Sequence, residues 1–381
     1  MTTRILILGA GFGGLELSST LATTLPGEVE VTLIDQSDSF AFGFTKLDVM
    51  FGHAQATDVR AYYRDIHHDG VTFRQEVVTA IDPESRQVTT DKGAYDGDIL
   101  VVALGADLDP SATPGLVEGG NEFYSFDGAV VMRDVLPTFT SGTAIIGVCG
   151  QFFKCPPAPC ECAFMLHDYL TERGVRDAVH IKVVSPMGTP IPVSESTSAA
   201  ILAGFAEKGI EYVGGGMVTE LDPAARVVHT SSGGSHPYDL FLGVPKHVAP
   251  PVVVASGLTE DGWIPVDRGS FTTKLQNVYA VGDVTSAPVP RAGAIAEREA
   301  MAVARDITAR LRGGRSGEPF DGTGLCYIEF GGGLVGRVDV SFYGPDGPTG
   351  PFSAPSRALS EEKEQFAPSR LARWFGASPA R

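Results

Sequence analysis

A short apolar stretch, Arg4 to Leu8, runs straight into Gly9-Ala-Gly11-Phe12-Gly13-Gly14, and residues Leu15 to Leu25 follow with the composition of a helix. That succession constrains the fold more than anything else in the chain. Three of the glycines serve separate purposes. Gly9 makes the tight bend, Gly11 lets the backbone approach a pyrophosphate, and Gly14 lets helix and strand pack closely. A second apolar strand, Glu28 to Ile34, ends on Asp35. An acid about 20 residues past such a turn accepts hydrogen bonds from ribose hydroxyls. Strand, turn, helix, strand and acid together predict an α/β chain that opens with a dinucleotide-binding unit.

An internal repeat predicts a second such unit. Val78-Thr-Ala-Ile-Asp82-Pro83-Glu-Ser-Arg86-Gln-Val88 returns 140 residues later as Val218-Thr-Glu-Leu-Asp222-Pro223-Ala-Ala-Arg226-Val-Val228. Both copies alternate in polarity around Asp-Pro turn chemistry, so both read as β-hairpins. Each is followed by Tyr-Asp and an apolar strand, toward Leu104-Gly105 in one copy and Leu242-Gly243 in the other. The chain then returns to the first unit through Asn277 to Asp283 and a helix from Gly293 to about Leu311. The expected organisation is 1–110 for the first part of one domain, 111–245 for the second, 246–311 for the return, and 312–381 for a C-terminal segment. Arg312-Gly-Gly-Arg-Ser-Gly reads as a linker.

The second unit departs from the first where its glycine turn should be. A strand from Thr143 to Val148 leads into Cys149-Gly150 and then Lys154-Cys155-Pro-Pro-Ala-Pro-Cys160-Glu161, with a helix expected from about Pro159. Thiols and stiff prolines replace glycine, and the next strand, His180 to Val184, ends in Ser185-Pro186 instead of an acid. Nicotinamide binding is disfavoured on both counts. Four of five cysteines lie within Cys149–Cys162, and Cys326 stands alone. Zinc knuckles pair C-x₂-C with further ligands, which this cluster lacks.

With 29 basic and 46 acidic side chains the net charge is −17, which argues against nucleic acid and anionic membrane surfaces. No apolar run approaches the ~20 residues of a membrane span. The chain enters a strand at once, so a cytoplasmic location is expected. Trp374 and Phe375 between basic residues allow at most peripheral membrane contact, and packing against the body is the stronger expectation. Ordinary surface or core roles are expected of His167 and His247 ahead of proton shuttling. A homodimer is compatible with the sequence.

The segments Gly9–Gly14 with Asp35, Ala103-Leu104-Gly105, Gly282-Asp283 and the helix from Gly293 resemble the two-dinucleotide-binding-domain flavoproteins. The resemblance implies two Rossmann-like three-layer (ββα) domains of the glutathione-reductase type plus a small C-terminal segment. It implies FAD held by Gly9, Gly11, Phe12, Gly13, Gly14, Asp35, Gln36, Lys46, Val78, Ala103, Gly105, Gly282, Asp283, Ala294 and Ile295. The late helix would point its positive N-terminus at the flavin.

Within that family, Cys155-Pro-Pro-Ala-Pro-Cys160-Glu161 is similar to the motif of the sulfide-oxidising branch. That branch holds the sulfide:quinone oxidoreductases and the flavoprotein of flavocytochrome c sulfide dehydrogenase. Cys326 sits where the branch keeps its partner cysteine. The resemblance implies a redox-active Cys155–Cys326 disulfide, a sulfide or small-thiol substrate, and a quinone, cytochrome or oxygen as electron acceptor. Cys160 stands where tyrosine is usual, residues 106–142 lack a third cysteine, and Phe40-Ala-Phe42-Gly43 offers no thiol for a covalent flavin link. Non-covalent FAD is therefore expected. Cys155 precedes a helix N-terminus, whose partial positive charge is expected to lower its thiol pKa. Cys160 is read equally as a sulfur relay or a core residue, and Glu161 as a proton acceptor or a residue that suits the helix dipole. Cys149 and Cys162 are read as structural. An NADH-dependent quinone or disulfide reductase is the alternative function, and a persulfide-holding sulfur carrier with structural FAD is one of another class.

Overall fold

The computed structural model describes residues 2–314 and 318–376. Two five-stranded parallel sheets organise it. In the first, the strands run Val278–Ala280, Ile99–Val102, Thr3–Leu8, Val29–Asp35 and Val71–Gln75 in spatial order. In the second the order is Asn121–Glu122, Leu240–Val244, Gly142–Val148, Val179–Ser185 and Ile210–Gly214. All neighbours in both sheets pair parallel. Parallel sheets need both faces covered, and the fully apolar strands Ile99–Val102 and Leu240–Val244 are buried along their whole length.

The repeat seen in the sequence extends to backbone detail. Val78–Asp82, Gln87–Thr90 and Ala94–Asp96 form one three-stranded antiparallel layer, and Val218–Asp222, Val227–Thr230 and Ser235–Pro237 form the other. Asp82 Oδ1 accepts from the backbone N–H groups of Glu84 and Ser85, and Asp222 Oδ1 accepts from those of Ala224 and Ala225. Arg86 (φ 58°) and Arg226 (φ 54°) both close their turns in the left-handed region. Copies this close at the level of hydrogen bonds are two instances of one unit.

The strand-to-helix turns differ sharply. The first unit passes from Leu8 to the Phe12–Thr24 helix through residues 9–11 alone. The second passes from Val148 to the Ala158–Glu172 helix through residues 149–157. The helix begins one residue before the expected Pro159.

After the Gly293–Leu311 helix the chain turns at Arg312–Gly314, and residues 315–317 of the expected linker lie outside the described residues. Thr323–Glu329, Val335–Ser341 and Phe352–Ser356 then form an antiparallel sheet. Alternation along the first of these strands splits it between the two cores. Cys326 and Ile328 pack into the core of the second unit, Leu325 and Tyr327 against that of the first.

The terminal helix, Arg357–Phe375, starts on a Ser356 cap and docks on the first unit. Trp374 is fully buried, stacks on Phe42, and meets Phe12 and Phe40 edge-on. Its indole N–H donates to buried Glu16, which also accepts from Arg373. A carboxylate so deeply buried needs such donors. Trp374 and Phe375 are thus packing residues, as expected. Among the described residues no helix is long and apolar enough to cross a membrane.

Candidate active site

The glycine turn of the first unit is built for close approach. Gly9 sits at φ +98°, where a Cβ would lie 2.3 Å from the carbonyl oxygen of Ala103. A Cβ on Gly14 would lie 1.9 Å from Gly9 O, so this crossing of helix and strand admits only glycine. A Cβ on Gly11 would meet nothing within 4 Å. Open space therefore fronts the helix N-terminus, where a pyrophosphate would sit. Asp35 accepts from Ala10 N and Ser37 N at 2.8 Å each, which fixes the acid at the mouth of the turn. Phe12 belongs to the aromatic cluster around Trp374 and lies where a Cβ on Gly293 would be, so it also seats the late helix.

Farther along, Gly282 (φ +79°) donates its N–H to Glu299, and burial pushes that carboxyl up to about 7. Gly282, Asp283, Arg291, Ile295 and Glu299 line one cleft at the start of the Gly293–Leu311 helix, with Ala294 in the same first turn. Burial raises the Asp283 carboxyl, against the pull of Lys154, Arg291 and Lys46. Gly105 (φ +68°) leaves the strand end open, whereas Gln36 is exposed and Val78 opens its hairpin. The open face at Gly11, Asp35 and this cleft fit FAD.

Cys155 lies in the long loop of the second unit at φ 53°, a conformation uncommon for a non-glycine residue. Three contacts hold it there. Its N–H donates to Arg291 O at 2.7 Å, and its carbonyl accepts from Ala158 N at 2.9 Å and from the Tyr124 hydroxyl at 3.4 Å. Strained backbone of this kind persists only where the surroundings over-determine it, and functional sites are where it clusters. Lys46 donates to Tyr124 O, and burial together with the charge of Lys154 lowers its ammonium to about 7.

Cys326, 171 residues farther along the chain, lies near enough for its charge to act on Cys155. The link is Glu161, only 3% exposed, whose Oε1 accepts from Glu329 N at 3.1 Å and so ties the Ala158–Glu172 helix to the Cys326 strand. Both thiols are half-buried, and every cysteine is a free thiol in this structure. Burial, then the nearby Glu161 and Cys326, pushes the Cys155 thiol well above its ordinary value. This corrects the expectation of a lowered pKa: desolvation and neighbouring negative charge outweigh the helix N-terminus. Burial and Glu161 push Cys326 up to about 12. Glu161 itself is raised to about 7, chiefly by burial, with Glu329 adding to the effect and Lys363 opposing it.

The other cysteines lie elsewhere. Cys160 and Cys162 are buried in the second core, and Cys149 in a smaller cluster under the hairpin layer. Of the histidines, His167 pairs with Asp168 at 3.1 Å, while His247 is buried beside Tyr124. Sequence reading missed Tyr124, Arg291 and Lys363 as parts of this neighbourhood, and gave His247 an ordinary role. Of these, Arg291 carried a local signal, its position immediately before the helix of Gly293.

Two parallel five-stranded sheets, each with a hairpin layer, and a glycine turn open to a dinucleotide define a flavin oxidoreductase with two dinucleotide-binding domains. The chain belongs to the pyridine nucleotide-disulphide oxidoreductase family, whose sequence pattern matches residues 3–302. It is 26% identical over 340 residues to the mitochondrial sulfide:quinone oxidoreductase of Dictyostelium discoideum, covering 86% of this chain and 75% of the relative. It is 25% identical over 357 residues to a type II NADH:quinone oxidoreductase of Staphylococcus aureus, covering 84% and 85% of the two chains. The solved sulfide:quinone oxidoreductase of Aquifex aeolicus superposes with a TM-score of 0.88 at 22% identity, over 100% of this chain and 93% of that one.

Proposed function

We propose that this flavoprotein oxidises sulfide, or a thiol or persulfide, through a redox-active Cys155–Cys326 pair, with quinone, cytochrome or oxygen as the final acceptor. The meeting of the Cys155–Glu161 segment with the distant strand that carries Cys326 supports this reading best. FAD, held without a covalent bond by the Gly9–Gly14 turn, Asp35 and the Asp283 cleft, supplies a two-electron acceptor when bound.

In the oxidised pair, a hydrosulfide attacks one sulfur of the disulfide. One S–S bond forms to the incoming sulfur, the Cys155–Cys326 bond breaks, and the other cysteine leaves as a thiolate holding the electron pair. The persulfide proton passes to the Glu161 carboxylate.

Anaerobic mixing tests the reading. Sulfide should bleach the flavin absorbance rapidly, and NADH should not. Bleaching by NADH alone would favour the type II NADH:quinone oxidoreductase likeness, although the nine-residue loop 149–157 leaves no short turn for a second pyrophosphate. No bleaching by either would favour a sulfur carrier.

A pH dependence follows from Glu161. Its carboxyl accepts a proton only when ionised, and with a pKa of about 7 the ionised fraction falls roughly tenfold per unit below that pH. Sulfide-driven reduction should slow accordingly toward pH 5. In Glu161→Gln the rate should be low throughout, and any remaining slope belongs to sulfide's own ionisation. An unchanged profile and rate in Glu161→Gln would remove Glu161 from the chemistry.

A further inference from the structure

Among the described residues, few buried side-chain nitrogens or oxygens lack a hydrogen-bond partner, and one of them is His247 Nε2. His247 is 4% exposed. It stands on Lys246–Val248, a short strand paired with Asp107–Asp109 where the chain passes from the second unit back to the first. Its Nδ1 lies 2.9 Å from Pro245 O. A carbonyl only accepts, so Nδ1 carries the hydrogen, and in a neutral ring Nε2 is then a bare lone pair. Burial and the charges of Lys154, Arg291 and Lys46 do keep the ring neutral, lowering its pKa to about 3. The ring meets Tyr124 edge-on at 5.7 Å between centroids, and the Tyr124 hydroxyl reaches Cys155 O. Leaving such an acceptor unpaired in a buried place is costly, so a ligand that donates is called for.

Resting on the reading of the pair as a sulfur-oxidising site, we infer that His247 is a substrate-positioning residue whose Nε2 accepts the S–H of hydrosulfide beside Cys155. The surroundings select this species by two requirements at once. Lys46, Lys154 and Arg291 favour an anion, whereas the lone pair requires a hydrogen on it. Hydrosulfide in its nucleophilic form carries both a negative charge and an S–H. An organic thiol in its nucleophilic form is a thiolate and has no S–H to offer. His247 therefore favours an inorganic sulfur anion that still bears hydrogen over organic thiolates, without itself taking the proton.

The test uses the FAD-loaded protein in anaerobic stopped flow, with sodium sulfide and 2-mercaptoethanol as separate reductants. His247→Phe keeps a ring against Tyr124 and removes the acceptor, His247→Leu removes it in a second way, and His247→Gln restores one. The apparent dissociation constant for sulfide should rise about three- to tenfold in the Phe and Leu variants. The limiting rate should fall less, 2-mercaptoethanol should be unaffected, and Gln should recover much of the sulfide affinity. Equal sulfide affinity in wild type, Phe and Leu variants overturns the inference, and so does a parallel loss for both reductants. If FAD content falls while the loaded fraction binds sulfide normally, Nε2 serves the cofactor and the inference is again overturned. Failure of the wild type to react with sulfide instead defeats the proposed function, so the two failures are distinct.

Discussion

Replacing either Cys155 or Cys326 by serine is expected to abolish reduction of the flavin by sulfide while leaving FAD bound. A serine oxygen forms no bond equivalent to the disulfide, so the loss should be on the order of a thousandfold or more. FAD should stay because the residues that fit it, from Gly9 to Asp35 and around Asp283, lie on other elements. Cys149→Ser removes a buried thiol under the hairpin layer and should leave the reduction rate unchanged at some cost in stability. Cys160→Ser separates the two readings of that residue. Lost turnover with normal single-turnover reduction marks a sulfur relay, and a lowered melting temperature with normal turnover marks a core residue. Full activity in both the Cys155 and Cys326 variants would end the disulfide mechanism.

The second large effect belongs to a pair of glycines three residues apart. Gly14→Ala places a methyl 1.9 Å from the carbonyl of Gly9, a separation that no side chain tolerates. Helix and strand must part, and the loss should exceed the ~1 kcal/mol that alanine gains over glycine inside a helix. A lower melting temperature and an apoprotein on purification are expected. Gly11→Ala meets nothing within 4 Å, so the fold should melt as wild type does. Its methyl instead fills the space before the helix N-terminus, and flavin content should drop. Normal FAD binding by Gly11→Ala would show that the pyrophosphate lies elsewhere.

Much of this architecture was legible in the sequence because its signals are local. The turn at Gly9–Gly14, the strand ending on Asp35 and the repeated Asp-Pro hairpins each depend on neighbours within a few residues. Most strand and helix ends fall within one or two residues of expectation, whereas the first helix begins at Phe12, three residues before the expected Leu15. What the sequence concealed arises from distant chain segments meeting. Cys155 has a helix N-terminus beside it in sequence, but Glu161 and the surrounding apolar packing decide its protonation. Nothing near His247 in the sequence reveals that its ring is walled in by Tyr124, Lys154 and Arg291. The association of Cys155 with Cys326 was suggested by family likeness alone, since no spacing rule connects residues so far apart.

The strand Thr323–Glu329, with one face in each core, is synthesised after every strand of the two parallel sheets. Both parallel sheets are complete once Val278–Ala280 has paired, so the flavin cradle can assemble while the later part of the chain is still being synthesised. Cys155 then waits alone in its loop. Burial raises its thiol pKa in the finished site, with Glu161 and Cys326 adding to the effect. Arrival of the strand brings Cys326 onto the second core, near enough for its charge to act on Cys155. Nascent chains arrested before Thr323 should label at Cys155 with a thiol reagent faster than the finished protein, in which the proposed partner Cys326 is in place.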